Sequence, residues 1–142
     1  MKTLLSFAVS ALLVACQTQI NKQIKQMPIH ELHKANLVEI THFQLRDSSQ
    51  REAFLLKAQH LSDSFLSCQP GFLHRTLTYS DDFTWADIVY WTDEAALEQA
   101  LQRAATNPAA LAFFSFLNEA TIQMARYRPV ALGHVGASSS AR

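Results

Sequence analysis

The sequence predicts an α+β fold built on one antiparallel sheet, and three observations support this class. Apolar segments of strand length alternate with segments in which apolar residues recur every three or four positions, as in an amphipathic helix. A short polar turn at residues 80–82 joins two neighbouring strand segments into a hairpin. Pro-Gly at 70–71 and Asn-Pro at 107–108 mark points at which a helix cannot continue. The chain therefore alternates between strands and helices within one domain.

The predicted domain begins with a strand over residues 37–46, which is rich in β-branched and aromatic side chains. A helix follows to about Leu66, with Ser48 or Ser49 as its N-cap and Glu52 where a capping box from Ser49 would place it. This helix is predicted because its apolar residues recur at helical spacing, at Phe54, Ala58, Leu61 and Phe65.

The two strands of the hairpin are predicted over 72–79 and 84–92. Asp93 can cap the next helix, and a second apolar helical segment covers 109–117 after the Asn-Pro break. A last strand is predicted over 121–128, where a proline ends it.

The order of these elements is β-α-β-β-α-(α)-β, which is the ferredoxin-like pattern. In this arrangement the helices cover one face of an antiparallel sheet and leave the other face exposed. We expect a second copy of the chain to cover that face in a homodimer.

The first residues predict a bacterial secretion signal. Lys2 precedes an apolar run of about 11 residues from Leu4 to Val14, far shorter than the roughly 20 residues of a membrane-spanning helix. Leu-Val-Ala-Cys at 13–16 resembles a lipobox, which predicts removal of residues 1–15 and lipidation of Cys16. The alternative is an ordinary secretory signal cleaved near residue 15. Because the residue after Cys16 is Gln rather than Asp, we expect a lipid anchor at the cell envelope on the periplasmic face, in the outer membrane.

The remaining chain divides into three parts. Residues 17–36 are polar and predict a flexible tether, residues 37–130 form the folded domain, and residues 131–142 predict a disordered tail. The formal net charge is 0, and removal of the signal shifts it to −1. The chain therefore has no excess of basic residues that would attract nucleic acid. If Cys16 carries lipid, Cys68 is left with no partner in its own chain, which favours a buried thiol over the alternative of a disulfide between chains.

Strict alternation along the strands divides polar candidates between two faces of the sheet. One face carries Glu39, Arg75 and Asp87 among aromatic residues, together with Leu73. Two carboxylates around one guanidinium could together bind a polar ligand group. Their apolar surroundings could also shift the pKa of one carboxylate so that it acts as a base. The alternative, which we favour, is a structural ion-pair network in which these charges satisfy one another.

The opposite face carries His42, His74 and Tyr90, together with Phe72, if no bulge intervenes. Two histidines and a tyrosine do not complete a metal site, so neither a metal nor a cofactor is expected. No nucleotide-binding glycine motif and no nucleophile motif is present in the sequence. The last strand offers Met124 to one of the faces, and its register is open at this point.

Several runs of the sequence resemble the antibiotic biosynthesis monooxygenase-like (ABM) domains of the dimeric α/β-barrel superfamily. Gln-Pro-Gly-Phe-Leu-His-Arg at 69–75 enters the second strand, and Trp-Ala-Asp-Ile-Val-Tyr-Trp at 85–91 forms the third. Glu-Ala-Ala at 94–96 opens the next helix. The resemblance covers residues 37–129 and implies a homodimer whose two sheets form a barrel, with a pocket between each sheet and its helices.

Members of this superfamily include cofactor-independent monooxygenases of polycyclic aromatic substrates, haem-degrading enzymes and isomerases. The haem-degrading branch uses a Trp in the helix after the third strand and a His soon after it. Residues 92–117 contain neither, so haem degradation is not expected.

The resemblance and the residues together predict an envelope lipoprotein with a monooxygenase-like activity on a small aromatic or quinone-like molecule. Arg75 would stabilise an oxyanion, and Glu39, Asp87 or His74 would move a proton. The alternative is a non-catalytic dimeric lipoprotein that binds a small apolar molecule or has a structural role. The predicted ligand-binding residues are Trp85, Trp91, Phe43, Met124, Tyr90 and His42.

Overall fold

The computed structural model describes residues 29–131. The predicted signal peptide, the lipidation site Cys16, most of the tether and the tail from residue 132 lie outside the described residues. The end of the predicted tether, Ile29–Lys34, forms a 3₁₀ helix near the second strand, and Ala35 after it is buried.

The described chain contains four strands and three α-helices, and their order confirms the predicted β-α-β-β-α-(α)-β pattern. Short 3₁₀ turns connect several of them. The elements are β1 (Leu37–Phe43), α1 (Arg51–Ser64), β2 (Phe72–Tyr79), β3 (Trp85–Trp91), α2 (Glu94–Ala104), α3 (Pro108–Phe114) and β4 (Gln123–Tyr127).

The four strands form one antiparallel sheet in the order β2-β3-β1-β4. β1 and β2 run in the same direction with β3 between them, which is the split arrangement of the ferredoxin-like fold. Side chains from one face of the sheet and from all three helices form the hydrophobic core. We call this face the inner face and the opposite face the outer face. The predicted fold class is therefore confirmed.

β2 begins with a bulge that overturns part of the predicted division between faces. Phe72 pairs with Trp91 while His74 pairs with Tyr90, so Leu73 is one residue in excess on β2. The prediction that Leu73 shares the inner face and Phe72 the outer face is therefore wrong. Phe72 packs edge-on against Trp91 with ring centroids 5.8 Å apart, and Leu73 is buried outside the main core. The alternation holds from His74 onward.

Gly71 makes this entry into β2 sterically feasible. Its φ of +78° lies in the left-handed region, where a side chain is strained. A Cβ at this position would lie 2.5 Å from both Ala96 Cβ and Thr92 Oγ1. The Gly71 carbonyl also accepts a hydrogen bond of 2.9 Å from the Thr92 amide, which joins the start of β2 to the end of β3.

The helix caps follow the predictions in one case and differ in another. Asp93 caps α2 as predicted, because its carboxylate accepts a hydrogen bond of 2.8 Å from the Ala96 amide. The prediction of Ser48 or Ser49 as the first cap is wrong. Asp47 instead caps the 3₁₀ turn Ser48–Gln50 that precedes α1, with its carboxylate accepting a hydrogen bond of 2.9 Å from the Ser49 amide, and Gln50 at the start of α1 makes no side-chain capping hydrogen bond. A carboxylate is the stronger acceptor at a helix start because it complements the helix dipole.

β4 pairs with β1 so that Met124 lies opposite Thr41 and Arg126 opposite Glu39. Because directly paired residues project to the same side, this register assigns Met124 and Arg126 to the inner face. It resolves the alternative that the sequence left open.

Cys68 differs from the favoured buried thiol, because it is disulfide-bonded in this structure. Among the described residues, no helix combines the length and apolar character that crossing a membrane requires.

Candidate functional site

An apolar cleft of about 220 Å³ lies between the inner face and the helices. We call it the inner cleft. Its mouth is bordered by the exposed side chains of Phe114, Ile122 and Met124. The ionisable or hydroxyl side chains that it presents are those of Glu39, Asp87 and Thr41, and its other walls are largely hydrophobic. Phe43, Val89, Trp91, Leu97, Ala110, Phe113 and Leu117 are among these apolar residues.

Arg75 and Asp87 form a closed ion pair at the base of this cleft. The guanidinium donates from Nε to Asp87 Oδ1 at 2.8 Å and from Nη2 to Oδ2 at 2.7 Å, a bidentate arrangement. Nη1 also donates to the Ala58 carbonyl at 2.8 Å and to Ser62 Oγ at 2.9 Å. Arg75 thus joins β2 and β3 to α1, and most of its donors are used within the protein.

Glu39 is the carboxyl group in the cleft that has no arginine bound to it. Only 8% of the residue is exposed, and its Oε1 accepts a hydrogen bond of 3.3 Å from the Thr41 hydroxyl. Burial raises the pKa of Glu39, and the negative charge of Asp87 raises it further. The Thr41 hydrogen bond and the charge of Arg126 lower the pKa by smaller amounts. The net result is a carboxyl that retains its proton to higher pH than an exposed glutamate.

Trp91 adds an unused hydrogen-bond donor to the same cleft. The residue is 2% exposed, and its indole Nε1–H has no acceptor at hydrogen-bonding geometry. The indole is near enough to Glu39 to lower the pKa of that carboxyl slightly, without a well-formed hydrogen bond. Buried N–H groups of native proteins almost always have partners, so the indole N–H and the Glu39 carboxyl beside it form the polar pair of this part of the cleft.

Arg126 is a charged residue beside the site that the sequence analysis did not select. It pairs with Glu39 across β1 and β4, but its guanidinium donates to Glu94 at 2.9 Å and lies 2.7 Å from Glu98 on α2. It therefore ties β4 to α2 and influences Glu39 only through its charge. The sequence did not show which face of the sheet Arg126 occupies, because the register of β4 was open. The presence of a charged residue in the last strand was the available signal.

His42, His74 and Tyr90 lie on the outer face, away from the inner cleft. The His74 ring lies 6.0 Å from the Tyr90 ring, and its Nε2 is 3.1 Å from Thr76 Oγ1. Their predicted roles in catalysis and ligand binding remain predictions, and the inner cleft does not include them. Within residues 29–131, no group of three or more His, Cys, Asp and Glu side chains is arranged to hold a metal ion.

The structure therefore brings together five of the predicted residues around one cleft and separates the others. Trp85 shares the inner face but lies toward the hairpin end, where its ring stacks on Phe43 with centroids 6.5 Å apart. The residues assembled at the inner cleft are Glu39, Phe43, Asp87, Trp91 and Met124, with Arg75 held behind Asp87.

Solved structures that superpose on this chain include ABM domain proteins. The monooxygenase of the ActVA-Orf6 gene of Streptomyces coelicolor, solved with nanaomycin D, superposes with a TM-score of 0.58 and 18% identity over 74% of this chain and 98% of that chain. A variant of SnoaB, a cofactor-independent oxygenase from Streptomyces nogalater, gives a TM-score of 0.57 and 21% identity over 69% and 96%. A proposed antibiotic biosynthesis monooxygenase from Nitrosomonas europaea gives 0.55 and 12% over 68% and 92%.

No protein-family model matches this chain, and a search of curated proteins finds no match. At these identities the structural likeness establishes the fold that the chain shares with ABM domain proteins.

Proposed function

We propose that this protein is a cofactor-independent, monooxygenase-like enzyme that acts on a small aromatic or quinone-like molecule. The observation that carries the proposal is Glu39, a buried carboxyl with a raised pKa that lines an apolar cleft. A carboxylate whose pKa is raised towards neutrality is an effective general base. The oxygenases that share the fold support the same reaction class.

The cleft favours a neutral, flat substrate. Because Arg75 is bound to Asp87, the pair offers little net charge to a ligand, whereas Trp91 offers one N–H donor. The cleft volume of about 220 Å³ lies below the roughly 300–1,000 Å³ of typical ligand sites. We therefore expect a molecule of two or three fused rings that carries one carbonyl or hydroxyl group.

The reaction consists of proton removal followed by direct attack on O₂. The Glu39 carboxylate takes a proton from an acidic CH₂ group of the substrate, and the Trp91 N–H stabilises the enolate oxygen that forms. The carbanion adds to O₂, forming a C–O bond, and a proton from Glu39 completes a hydroperoxide. Loss of the second CH₂ proton and cleavage of the O–O bond then release water. The balance is one CH₂ and one O₂ converted to one C=O and one H₂O.

Anthrone is a suitable probe because it has one acidic CH₂ group between aromatic rings. We expect the full chain to convert anthrone to anthraquinone with one labelled oxygen when ¹⁸O₂ is supplied, as followed by mass spectrometry and O₂ uptake. Glu39→Gln should lower kcat by about a hundredfold or more, because general-base catalysis contributes roughly 10²–10⁴-fold. Glu52→Gln, an exposed change on α1, is the matched control and should retain the rate.

The outcomes separate the proposal from its alternative. Saturable anthrone binding without O₂ uptake would contradict the proposed enzymatic activity and favour a non-catalytic lipoprotein that binds small molecules. Turnover that persists in Glu39→Gln would exclude Glu39 as the base. The closed Arg75–Asp87 network is the observation that favours the alternative, since it accounts for two predicted catalytic residues structurally.

We also propose that the protein acts as a homodimer. Its outer face carries half-buried apolar residues on the central strands, including Ile40, Ile88 and Tyr90, and none of the three helices covers it. A second copy placed against this face would form the barrel that the resemblance implies.

The lipobox at 13–16 supports our proposal that the mature protein is a lipoprotein, held at the periplasmic face of the outer membrane after removal of residues 1–15. A Cys16 sulfur in a thioether to lipid cannot also form a disulfide with Cys68. Labelling of the cells with palmitate should therefore mark the wild type and Cys68→Ala, but not Cys16→Ala. Label absent from the wild type, together with a gel shift on reduction, would contradict lipidation.

A further inference from the structure

A second recess, of about 310 Å³, lies at the end of the sheet where β2 turns into β3. We call it the hairpin recess. Its lining includes Arg51 at the start of α1 together with Tyr79, Phe83 and Trp85 of the hairpin. The stacked rings of Phe43 and Trp85 separate it from the inner cleft, since Phe43 lines the cleft and Trp85 the recess.

Arg51 provides a positive charge that the described part of the chain does not neutralise. No carboxylate within residues 29–131 lies at ion-pairing distance from its guanidinium. Instead, the guanidinium carbon lies 4.5 Å from the centre of the Tyr79 ring and 5.9 Å from that of Trp85. The other arginine of the recess, Arg46, is paired with Glu119 at 2.6 Å. Arg51 is therefore oriented by aromatic rings and keeps its charge for a ligand.

Phe83 is an aromatic residue in a position that suits glycine. Its φ is +66°, in the left-handed region, where a bulky side chain strains the backbone. The residue is 59% exposed, and the centroid of its ring lies 6.2 Å from that of the Tyr79 ring. The left-handed conformation belongs to the turn itself, in which the Phe83 amide donates to the Ser80 carbonyl at 3.1 Å and the Ser80 amide donates to the Thr84 carbonyl at 2.9 Å. An aromatic side chain is not needed for this conformation, so the exposed ring of Phe83 is free to contact a ligand.

Asp82, the acidic residue of the lining, is occupied within the turn. Its carboxylate accepts hydrogen bonds from the Ser80 hydroxyl and, at 3.1 Å, from the Thr84 amide. These hydrogen bonds, the Ser80 bond above all, lower the pKa of Asp82. The recess thus holds one unpaired positive charge beside a fixed negative charge, which suits a monoanion better than a dianion such as phosphate.

We propose that the hairpin recess is a second binding site, for a small aromatic carboxylate. The carboxylate pairs with the planar guanidinium of Arg51, whose fork of donors matches a carboxylate in geometry. The aromatic ring of the ligand packs against Phe83 and Tyr79. The site uses neither Glu39 nor the inner cleft, so it stands independently of the monooxygenase proposal.

The two tryptophans of the chain report separately on the two sites. In a ¹⁵N–¹H correlation spectrum of the full chain in mild detergent, the two indole N–H signals can be assigned with a Trp91→Phe variant. We expect benzoate to shift the Trp85 signal saturably and to leave the Trp91 signal in place. Benzamide, a neutral molecule of the same shape, should bind at least about tenfold more weakly, because it lacks the charge-assisted pair.

Two variants test the roles of the charge and the ring. Arg51→Gln should weaken benzoate binding by about tenfold or more. Phe83→Gly should also weaken binding and at the same time raise Tm, because it relieves the left-handed strain. Arg128→Gln, an exposed arginine at the opposite end of the sheet, is the matched control and should change neither.

Three results would overturn the proposal. They are a benzoate shift confined to Trp91, an unchanged benzoate affinity in Arg51→Gln, and the absence of any saturable shift. A Phe83→Gly variant with a raised Tm and full benzoate affinity would overturn the role of the aromatic ring.

Discussion

Arg75 illustrates how a buried charge becomes part of the structure. Its guanidinium binds Asp87 on the neighbouring strand and the Ala58 carbonyl on α1, so it joins sheet and helix at one point. Such pairs usually contribute little net stability because desolvation offsets the attraction, but removal of one partner leaves an uncompensated charge. The pair therefore also keeps Asp87 from acting as a free base in the cleft.

Single and double substitutions of this ion pair should differ in their effect on stability. Arg75→Met should lower the free energy of unfolding by about 3–5 kcal/mol, because Asp87 is left buried and unpaired. Arg75→Met combined with Asp87→Leu should recover a large part of that loss. Urea unfolding of both variants and the wild type measures the difference. Equal losses in the single and double variants would contradict this account.

Glu39 makes the stability of the protein depend on pH in a predictable direction. Because burial raises the pKa of Glu39, the folded state holds this proton more tightly than the unfolded chain. The contribution of Glu39 to stability is therefore greatest below the unfolded pKa, about 4.3, and is lost as the pH rises through the raised folded pKa.

Glu39→Gln should remove this dependence. The Tm of the variant relative to the wild type should rise steadily from about pH 4 through the pH range in which Glu39 loses its proton, and then level off. Thermal unfolding at a series of pH values gives the difference directly, and other titrating groups cancel in it. Parallel curves for the two proteins would show that the pKa of Glu39 is not raised.

Position 71, at the entry to β2, accommodates only glycine without strain or overlap. Gly71→Ala should lower the free energy of unfolding by about 2–4 kcal/mol, from left-handed strain and from overlap with Ala96 and Thr92. Chemical unfolding measures this loss. Adding Ala96→Gly removes one of the two overlaps and should recover part of the stability, unless the strain of the backbone alone accounts for the loss.

At the scale of the elements, the helix starts depend on single polar side chains. α2 begins where the Asp93 carboxylate accepts the Ala96 amide, and α3 begins where the Asn107 side chain accepts two amides, with Pro108 after it. Local sequence predicts such starts well, because the cap and the amides it satisfies are only two or three residues apart. The capping residue near α1 was predicted wrongly because Asp47 caps a 3₁₀ turn that precedes the helix.

Asp93→Ala should therefore lower the free energy of unfolding by about 1 kcal/mol, since an N-cap hydrogen bond is lost. Asp93→Asn keeps an acceptor in the same place and should cost much less, which makes it the matched control. Chemical unfolding distinguishes the two. Similar losses in both variants would mean that the charge of Asp93 matters more than its hydrogen bond.

The strands show where prediction from local sequence ends. Alternation assigned the faces of β1 and β3 correctly, since both strands are regular over their whole length. The prediction was wrong at Leu73, because one extra residue in β2 moves the side chains on one side of it to the opposite face of the sheet. Nothing in the local sequence marks this bulge. The register of β4 was equally hidden, because it depends on pairing with β1 some 80 residues away in the chain.

At the scale of the whole molecule, the outer face, with its half-buried and exposed apolar side chains, is the feature that a monomer leaves unexplained. Ile88 lies near the centre of this face on β3, and Tyr127 is exposed on β4. Apolar surface of this kind usually marks an interface.

Ile88→Glu should therefore weaken the expected homodimer by more than about tenfold, because two like charges meet across the interface. Sedimentation equilibrium measures the dissociation constant. Leu56→Glu, at a residue that is 73% exposed on α1, is the control and should leave the dimer intact. If the wild-type protein sediments as a monomer, the proposed barrel of two sheets is contradicted.

The sequence by itself determined the order of the elements, the positions of the turns and the faces of the two central strands. These depend on interactions between residues close together in the chain, namely periodicity, caps and turn-forming residues. Only the tertiary structure decided that Arg75 is engaged by α1, that Trp91 and Glu39 face one cleft, and that Arg51 reaches the hairpin rings. These contacts join residues far apart in the chain, and their geometry arises from the packing of helices on the sheet, which local patterns do not encode.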